Sequence, residues 1–214
     1  MVEAAARLWK EPDHGTWEVR GDSEHFVRSK VMCWVALDRG IRLSEECECS
    51  APVERWREVR DEIRGAVERE GYDGERGTFV RSFGSKDLDA GLLLLPKVGF
   101  VDYDDARMVR TADAIREELD DEGLTKRYLG GREGAFIACS FWLAECLARQ
   151  GRTEEAHKVF DRAASTSNDL GLSSEEYDTQ AGEMLGNFPQ GLTHLSHISA
   201  AIAMEESAPS PPEE

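Results

Sequence analysis

The sequence predicts an all-α protein of about seven helices, and three observations carry that expectation. Apolar residues recur at three- and four-residue spacing in one segment after another, which makes one buried face per helix. Glycine closes these segments, and Ser, Asp or Pro opens them, as expected of helix ends. Extended period-two runs are scarce, so little strand is expected.

The elements follow in order. Residues 1–10 read as an Ala-rich helix end, and residues 11–21, with Pro12, Gly15 and Gly21, as a loop. Asp22 or Ser23 can cap the next helix, which runs to about Glu46 with Phe26, Val27, Val31, Trp34, Val35 and Ile41 on one face. Ser50 and Pro52 open a third helix, striped by Val53, Trp56, Val59, Ile63 and Val67 and ended by Gly71. Residues 72–86 read as a longer connection, extended over 78–83. Asp87 caps a short helix ending near Pro96, and Asp104 or Asp105 starts another, closed by Gly123. Residues 124–133 read as loop. Residues 134–150 are apolar nearly all round, which places that helix among others. Gly151 closes it, and Thr153 opens the next, through about Thr166. Residues 170–188 look irregular. Pro189 stands in the first turn of a final helix through about Glu205, and residues 207–214 read as a disordered tail.

Composition narrows the function. The 214 residues hold 43 acidic and 26 basic side chains, a formal charge of −17. Nucleic-acid binding needs a basic footprint, and an anionic membrane surface would repel such a chain, so neither partner is expected. No segment is long and apolar enough to span a bilayer, and no basic-then-apolar leader opens the sequence. The odd cysteine count (Cys33, Cys47, Cys49, Cys139, Cys146) then suits reduced thiols and a cytoplasmic setting. Cys47-Glu48-Cys49 lacks zinc-knuckle spacing, His194 and His197 lack a third ligand, and no cofactor motif stands out, so no metal or cofactor is expected. The two histidines are expected to hydrogen-bond locally.

Two glutamates stand in non-helical segments ahead of long helices: Glu18 in Thr16-Trp17-Glu18-Val19-Arg20-Gly21, and Glu183 in Gly182-Glu183-Met184-Leu185-Gly186-Asn187-Phe188-Pro189-Gln190. Two loop carboxylates at one rim of a helical scaffold are the minimum equipment for acid/base hydrolysis of a glycosidic bond.

The motifs resemble those of glycoside hydrolase family 15, the glucoamylase-like and trehalase-like enzymes. The resemblance lies in residues 15–21, His25-Phe26, residues 29–39, Gly134-Ala135-Phe136, Ser140-Phe141-Trp142-Leu143, and residues 185–190 followed by His194. It implies an (α/α)6 toroid and an inverting mechanism, with Glu18 as general acid and Glu183 as general base. An inverting pair stands roughly 6.5–9.5 Å apart, leaving room for a water. The acid needs a partly dry site, for which Trp17 and Val19 are the candidates. Arg127 and Tyr128 resemble the family's pair that holds sugar hydroxyls, and Trp17 is a candidate floor for a sugar ring. Lys30 reads as a surface lysine, with the pocket as its second possibility. The implied substrate is an α-glucoside, trehalose or an α-glucan.

The resemblance also implies that residues 1–206 form the C-terminal half of such a domain. A half-ring would expose apolar helix faces, so a matching N-terminal half or self-association is expected, with little activity from the chain alone. A different reading takes residues 135–164 as one hairpin of a non-catalytic helical-repeat module, although no period of ~34 residues recurs elsewhere.

Overall fold

The computed structural model describes residues 1–48, 50–130 and 134–207. The chain divides into two units, Met1–Asp87 with Leu95–Val101, and Leu88–Leu94 with Asp102–Glu214.

The first unit contains α1 (Val2–Leu8), α2 (Val27–Glu46), α3 (Val53–Glu70) and the hairpin β1 (Tyr72–Asp73) and β2 (Thr78–Phe79). α2 starts later than Asp22 or Ser23 would start it. Residues 22–26 are held in extended pairing instead, through bridges Asp13–Glu24 and Phe26–Ser82. Phe26, in extended backbone, occupies the cap position. The stripes expected of α2 and α3 meet as a core in part: Val27, Val31, Trp34 and Ile41 face Ile63 and Val67, joined by Leu37 and Ala66, whereas Val35, Val53, Trp56 and Val59 are only half-buried. Each fully buried aliphatic side chain contributes about 1.5–3 kcal/mol. Trp34 meets Phe100 edge-on at 5.3 Å, and the Arg64 guanidinium lies over both rings. The buried Asp38 carboxylate is satisfied by Arg39, Arg42 and Arg60.

The second unit contains a 3-10 helix (Ala90–Leu94), α4 (Ala106–Glu118), the hairpin β3 (Asp120–Asp121) and β4 (Leu124–Thr125), then β5 (Ala135–Phe136), α5 (Ile137–Arg149), α6 (Thr153–Ala164), β6 (Glu176–Asp178), β7 (Glu183–Leu185) and α7 (Gly191–Glu206). Asp105 caps α4 by accepting from the Arg107 amide at 2.8 Å. α5 is buried from Ile137 to Ala148, as its unbroken apolar character predicts. α6 and α7 approach it closely because their contact faces carry alanines: Ala156, Ala163, Ala200 and Ala203 are fully buried. The Trp142 indole N–H donates to Ser196 Oγ at 2.9 Å, which satisfies the one polar atom that this ring brings inside.

Further segments depart from expectation: the short helix opens behind Asp89, whose side chain accepts from the Gly91 amide, not behind Asp87, and α4 ends at Glu118, short of Gly123. Residues 170–188 are irregular only at their ends: within them β6 and β7 form an antiparallel hairpin, and β5 pairs with β6 to give a three-stranded sheet. Pro189 precedes α7 rather than entering it, and the cap of α7 is Gln190, whose side chain accepts from the Leu192 amide. Cys47 is disulfide-bonded, which corrects the expectation of five reduced thiols. Cys33, Cys139 and Cys146 are thiols, and burial pushes that of Cys146 up to about 12. Cys49, residues 131–133 of the expected loop and residues 208–214 of the expected tail lie outside the described residues.

Candidate active site

Glu18 belongs to the first unit. Its loop is built on Asp13, whose backbone pairs with Glu24 in both directions at 2.9 Å. One oxygen of the Asp13 carboxylate accepts from the Gly15 amide and the Ser29 hydroxyl, both at 2.7 Å. Its other oxygen lies 3.5 Å from the Lys30 ammonium. Gly15 takes the left-handed backbone (φ 68°), and a Cβ there would stand 3.1 Å from the Phe26 ring, so this turn favours glycine. The Val19 amide closes the loop on the His14 carbonyl at 3.0 Å. Glu18 stands at the tip with φ 48°, a conformation that costs a non-glycine residue of order 1 kcal/mol or more. Its carboxylate is exposed, and Trp17 and Val19 beside it are half-buried. The dry setting expected for the acid is therefore not supplied by residues 17–19 alone. A cavity of about 590 Å³ opens beside the loop, lined by Leu8, Trp9, Asp13, Thr16, Lys30 and Cys33 among others.

Lys30 is 1% exposed, so the surface reading is wrong. It sits in the first turn of α2, where the loop folds back over it, and it donates to the Glu11 carbonyl as well as pairing with Asp13.

Glu183 belongs to the second unit and opens β7, directly opposite Asp178 of β6. The turn between them is tied by Asp178, whose side chain accepts from Gln180 and Ala181 at 2.9 and 3.0 Å and whose carbonyl accepts from Gly182 at 2.8 Å. Gly182 is left-handed, φ 70°. Glu183 is exposed. Beyond it, the Glu175 carboxylate accepts from the backbone and side-chain nitrogens of Asn187 at 3.0 and 2.9 Å, which fixes the exit of the hairpin.

Arg127 lies in the same unit, over the Phe136 ring at 5.1 Å and 2.9 Å from Glu176. Both partners are less than a fifth exposed. Burial holds the Glu176 carboxyl above the usual carboxylate range, although Arg127 pulls it down: desolvation outweighs the pairing. Tyr128 bridges to Asp89 and is half-buried. His194 Nε2 accepts from the Ser173 amide at 3.2 Å, as local bonding predicts. His197 instead stacks on Phe141 at 4.6 Å.

Sequence reasoning missed Asp13, Glu175, Glu176 and Asp178. The Asx-turn spacing of Asp13 and Asp178, each two residues ahead of a turn amide that it accepts from, was the available signal. Glu176 had none, because its partner Arg127 is far away in sequence.

Paired helices alone define no activity, and the class follows from comparison with known proteins. The model of the glycosyl hydrolases family 15 matches residues 1–202, and the chain belongs to that family. It is 43% identical to a trehalase of Mycobacterium tuberculosis over 210 residues, covering 94% of this chain and 31% of that protein. It is 40% identical to a trehalase of Thermoplasma acidophilum, covering 97% of this chain and 37% of that one. The chain thus spans about a third of the length of these curated relatives. Among solved structures, a wild-type glycosidase superposes with a TM-score of 0.83 at 22% identity, over 97% of this chain and 59% of its own. The Hormoconis resinae glucoamylase superposes at 0.79 with 10% identity, over 99% of this chain and 49% of its own. These neighbours bear out the all-α, partial (α/α)6 architecture. The α5–α6 hairpin that suggested a helical-repeat module is part of this family's fold.

Proposed function

We propose that this chain is part of an inverting α-glucoside hydrolase with trehalose as its first substrate, α-glucans being the second reading. The observation that carries the substrate is the 40–43% identity to proteins named trehalases across at least 94% of the chain. Glu18, protonated, gives its proton to the glycosidic oxygen as the bond to the anomeric carbon breaks. Glu183, ionised, takes a proton from the water that attacks that carbon from the opposite face. Water is consumed, and two glucose molecules leave. A general acid or base of this kind is worth about 10²–10⁴-fold in rate. The backbone ties around Gly15 and Gly182 support the assignment, since both put a carboxylate on a loop fixed at its base. Arg127 and Tyr128 hold hydroxyls of the sugar, with Glu176 keeping the guanidinium in one orientation, and Trp17 lies along the ring.

The same reading gives the chain a partner: the remaining helices of a family-15 catalytic domain. Leu192, Leu195, Ile198 and Ile202 of α7 are exposed along one helix side, which fits a face that such helices cover. The partner completes the substrate pocket, and the 214-residue chain alone turns over slowly because its substrate is poorly oriented.

The experiment is glucose release from trehalose and from maltose by the chain co-expressed with an N-terminal half taken from a trehalase relative. Glu18→Gln and Glu183→Gln should each lower trehalose turnover by about 10²-fold or more. Undiminished turnover in either variant removes that residue from its role, and preference for maltose replaces trehalose with the α-glucan reading.

A further inference from the structure

A buried ammonium needs a reason, because taking it out of water costs more than an ordinary ion pair returns unless its hydrogen bonds are also satisfied. Lys30 is 1% exposed, and both of its partners lie in the loop that leads to Glu18: the Glu11 carbonyl and the Asp13 carboxylate. Asp13 passes this anchorage on. It receives the Gly15 amide at 2.7 Å and is braced from α2 by the Ser29 hydroxyl at 2.7 Å. The left-handed turn at Gly15 follows at once, and the Val19 amide shuts the loop on His14 at 3.0 Å. One lysine in the first turn of α2 therefore fastens the chain ahead of the turn from which Glu18 projects. Lys30 itself is sealed from water although its partner Asp13 is 37% exposed.

We propose that Lys30, acting through Asp13, is a positioning residue that sets where the Glu18 carboxyl stands. Lys30 does not touch the sugar; it fixes the frame of the group that does. The proposal rests on Glu18 being the acid, and its first test is independent of that.

Amide hydrogen exchange by NMR on the 214-residue chain compares the native protein, Lys30→Met, Lys30→Arg and Lys86→Met. Lys86 is an exposed lysine paired with Glu75 and serves as control. The expected result is exchange faster by about tenfold or more at Gly15 and Val19 in Lys30→Met, with α3 amides unchanged. Lys30→Arg should recover most of that protection, and Lys86→Met should match the native protein. Unchanged exchange at Gly15 and Val19 overturns the proposal, and so does an equal rise throughout the first unit, which makes Lys30 a general stabiliser. If Lys30→Met does not fold, Asp13→Asn reads the same link and should loosen the same two amides.

The second test is kinetic, in the completed enzyme. Lys30→Met should lower kcat by about 100-fold with KM within a few-fold of native, since an acid displaced by an ångström costs about that much. A raised KM with unchanged kcat assigns Lys30 to substrate binding instead. If Glu18→Gln is fully active, the acid assignment fails while the exchange result still decides whether Lys30 holds the loop.

Discussion

A Cβ on Gly134 would fall 2.4 Å from the Tyr177 carbonyl oxygen and 2.7 Å from its carbon, both backbone atoms that cannot swing aside. Gly134 precedes β5, and Tyr177 lies in the middle of β6, the strand that carries the hairpin of Glu183. Gly134→Ala should therefore push the strands apart and cost about 1–3 kcal/mol in a denaturant melt, as overpacking does. A change below about 0.5 kcal/mol, typical of a surface site, would contradict this close approach. His197 supplies a pH dependence. Burial first, and His194 second, hold its imidazole below the ordinary 6.5. The unfolded chain then takes up a proton that the folded chain refuses, so stability is full above about pH 6.5 and falls as the pH drops through the folded value. Thermal melts of His197→Phe, which keeps a ring on Phe141, should lose that part of the acid-side slope. An unchanged slope would assign it to other groups. At this scale the sequence was legible where residue type alone decides, as for Gly15 in the loop of residues 11–21. It was not legible for Lys30 or Glu176, whose burial is set by chain folding over them.

Among the elements, the start of α4 was legible to within one residue, Asp104 or Asp105, while its end falls at Glu118, short of Gly123. Asp105 accepts from the Arg107 amide, and the Arg107 side chain, its strongest partner, holds the carboxyl below the usual range. Its contribution is present above the unfolded carboxylate value and is lost as the pH falls through the lower folded one. Asp105→Ala should lower stability by about 1 kcal/mol, and Asp105→Asn, which still caps, by clearly less. Equal losses in the two would mean that the ion pair with Arg107, not the cap, stabilises this end. The core stripes of α2 and α3 were also legible, because their apolar spacing spans many turns. β6 and β7 were not. Three residues each give no window for period-two alternation, and their pairing is fixed by Asp178, Gly182 and Glu175, which act through backbone hydrogen bonds. The start of α2 was misread for a related reason: residues 22–26 offer good caps, but pairing with Asp13 and Ser82 takes that backbone first.

For the whole molecule, a charge of −17 and a neutral disaccharide substrate are compatible, since no anionic group has to approach. Family membership was legible from motifs spread along residues 15–194, whereas the dry setting expected around Glu18 is not found, because residues 17–19 leave it exposed. The proposal itself is a single displacement by one acid and one base, and the anomers released from trehalose test it most directly. Both anomeric carbons of trehalose are α. Attack by water on one inverts it, and the other departs unchanged. Proton NMR of the completed enzyme, read before mutarotation, should record α- and β-glucose in equal amounts. Release of α-glucose alone would mean retention through a covalent intermediate and would contradict the roles given to Glu18 and Glu183.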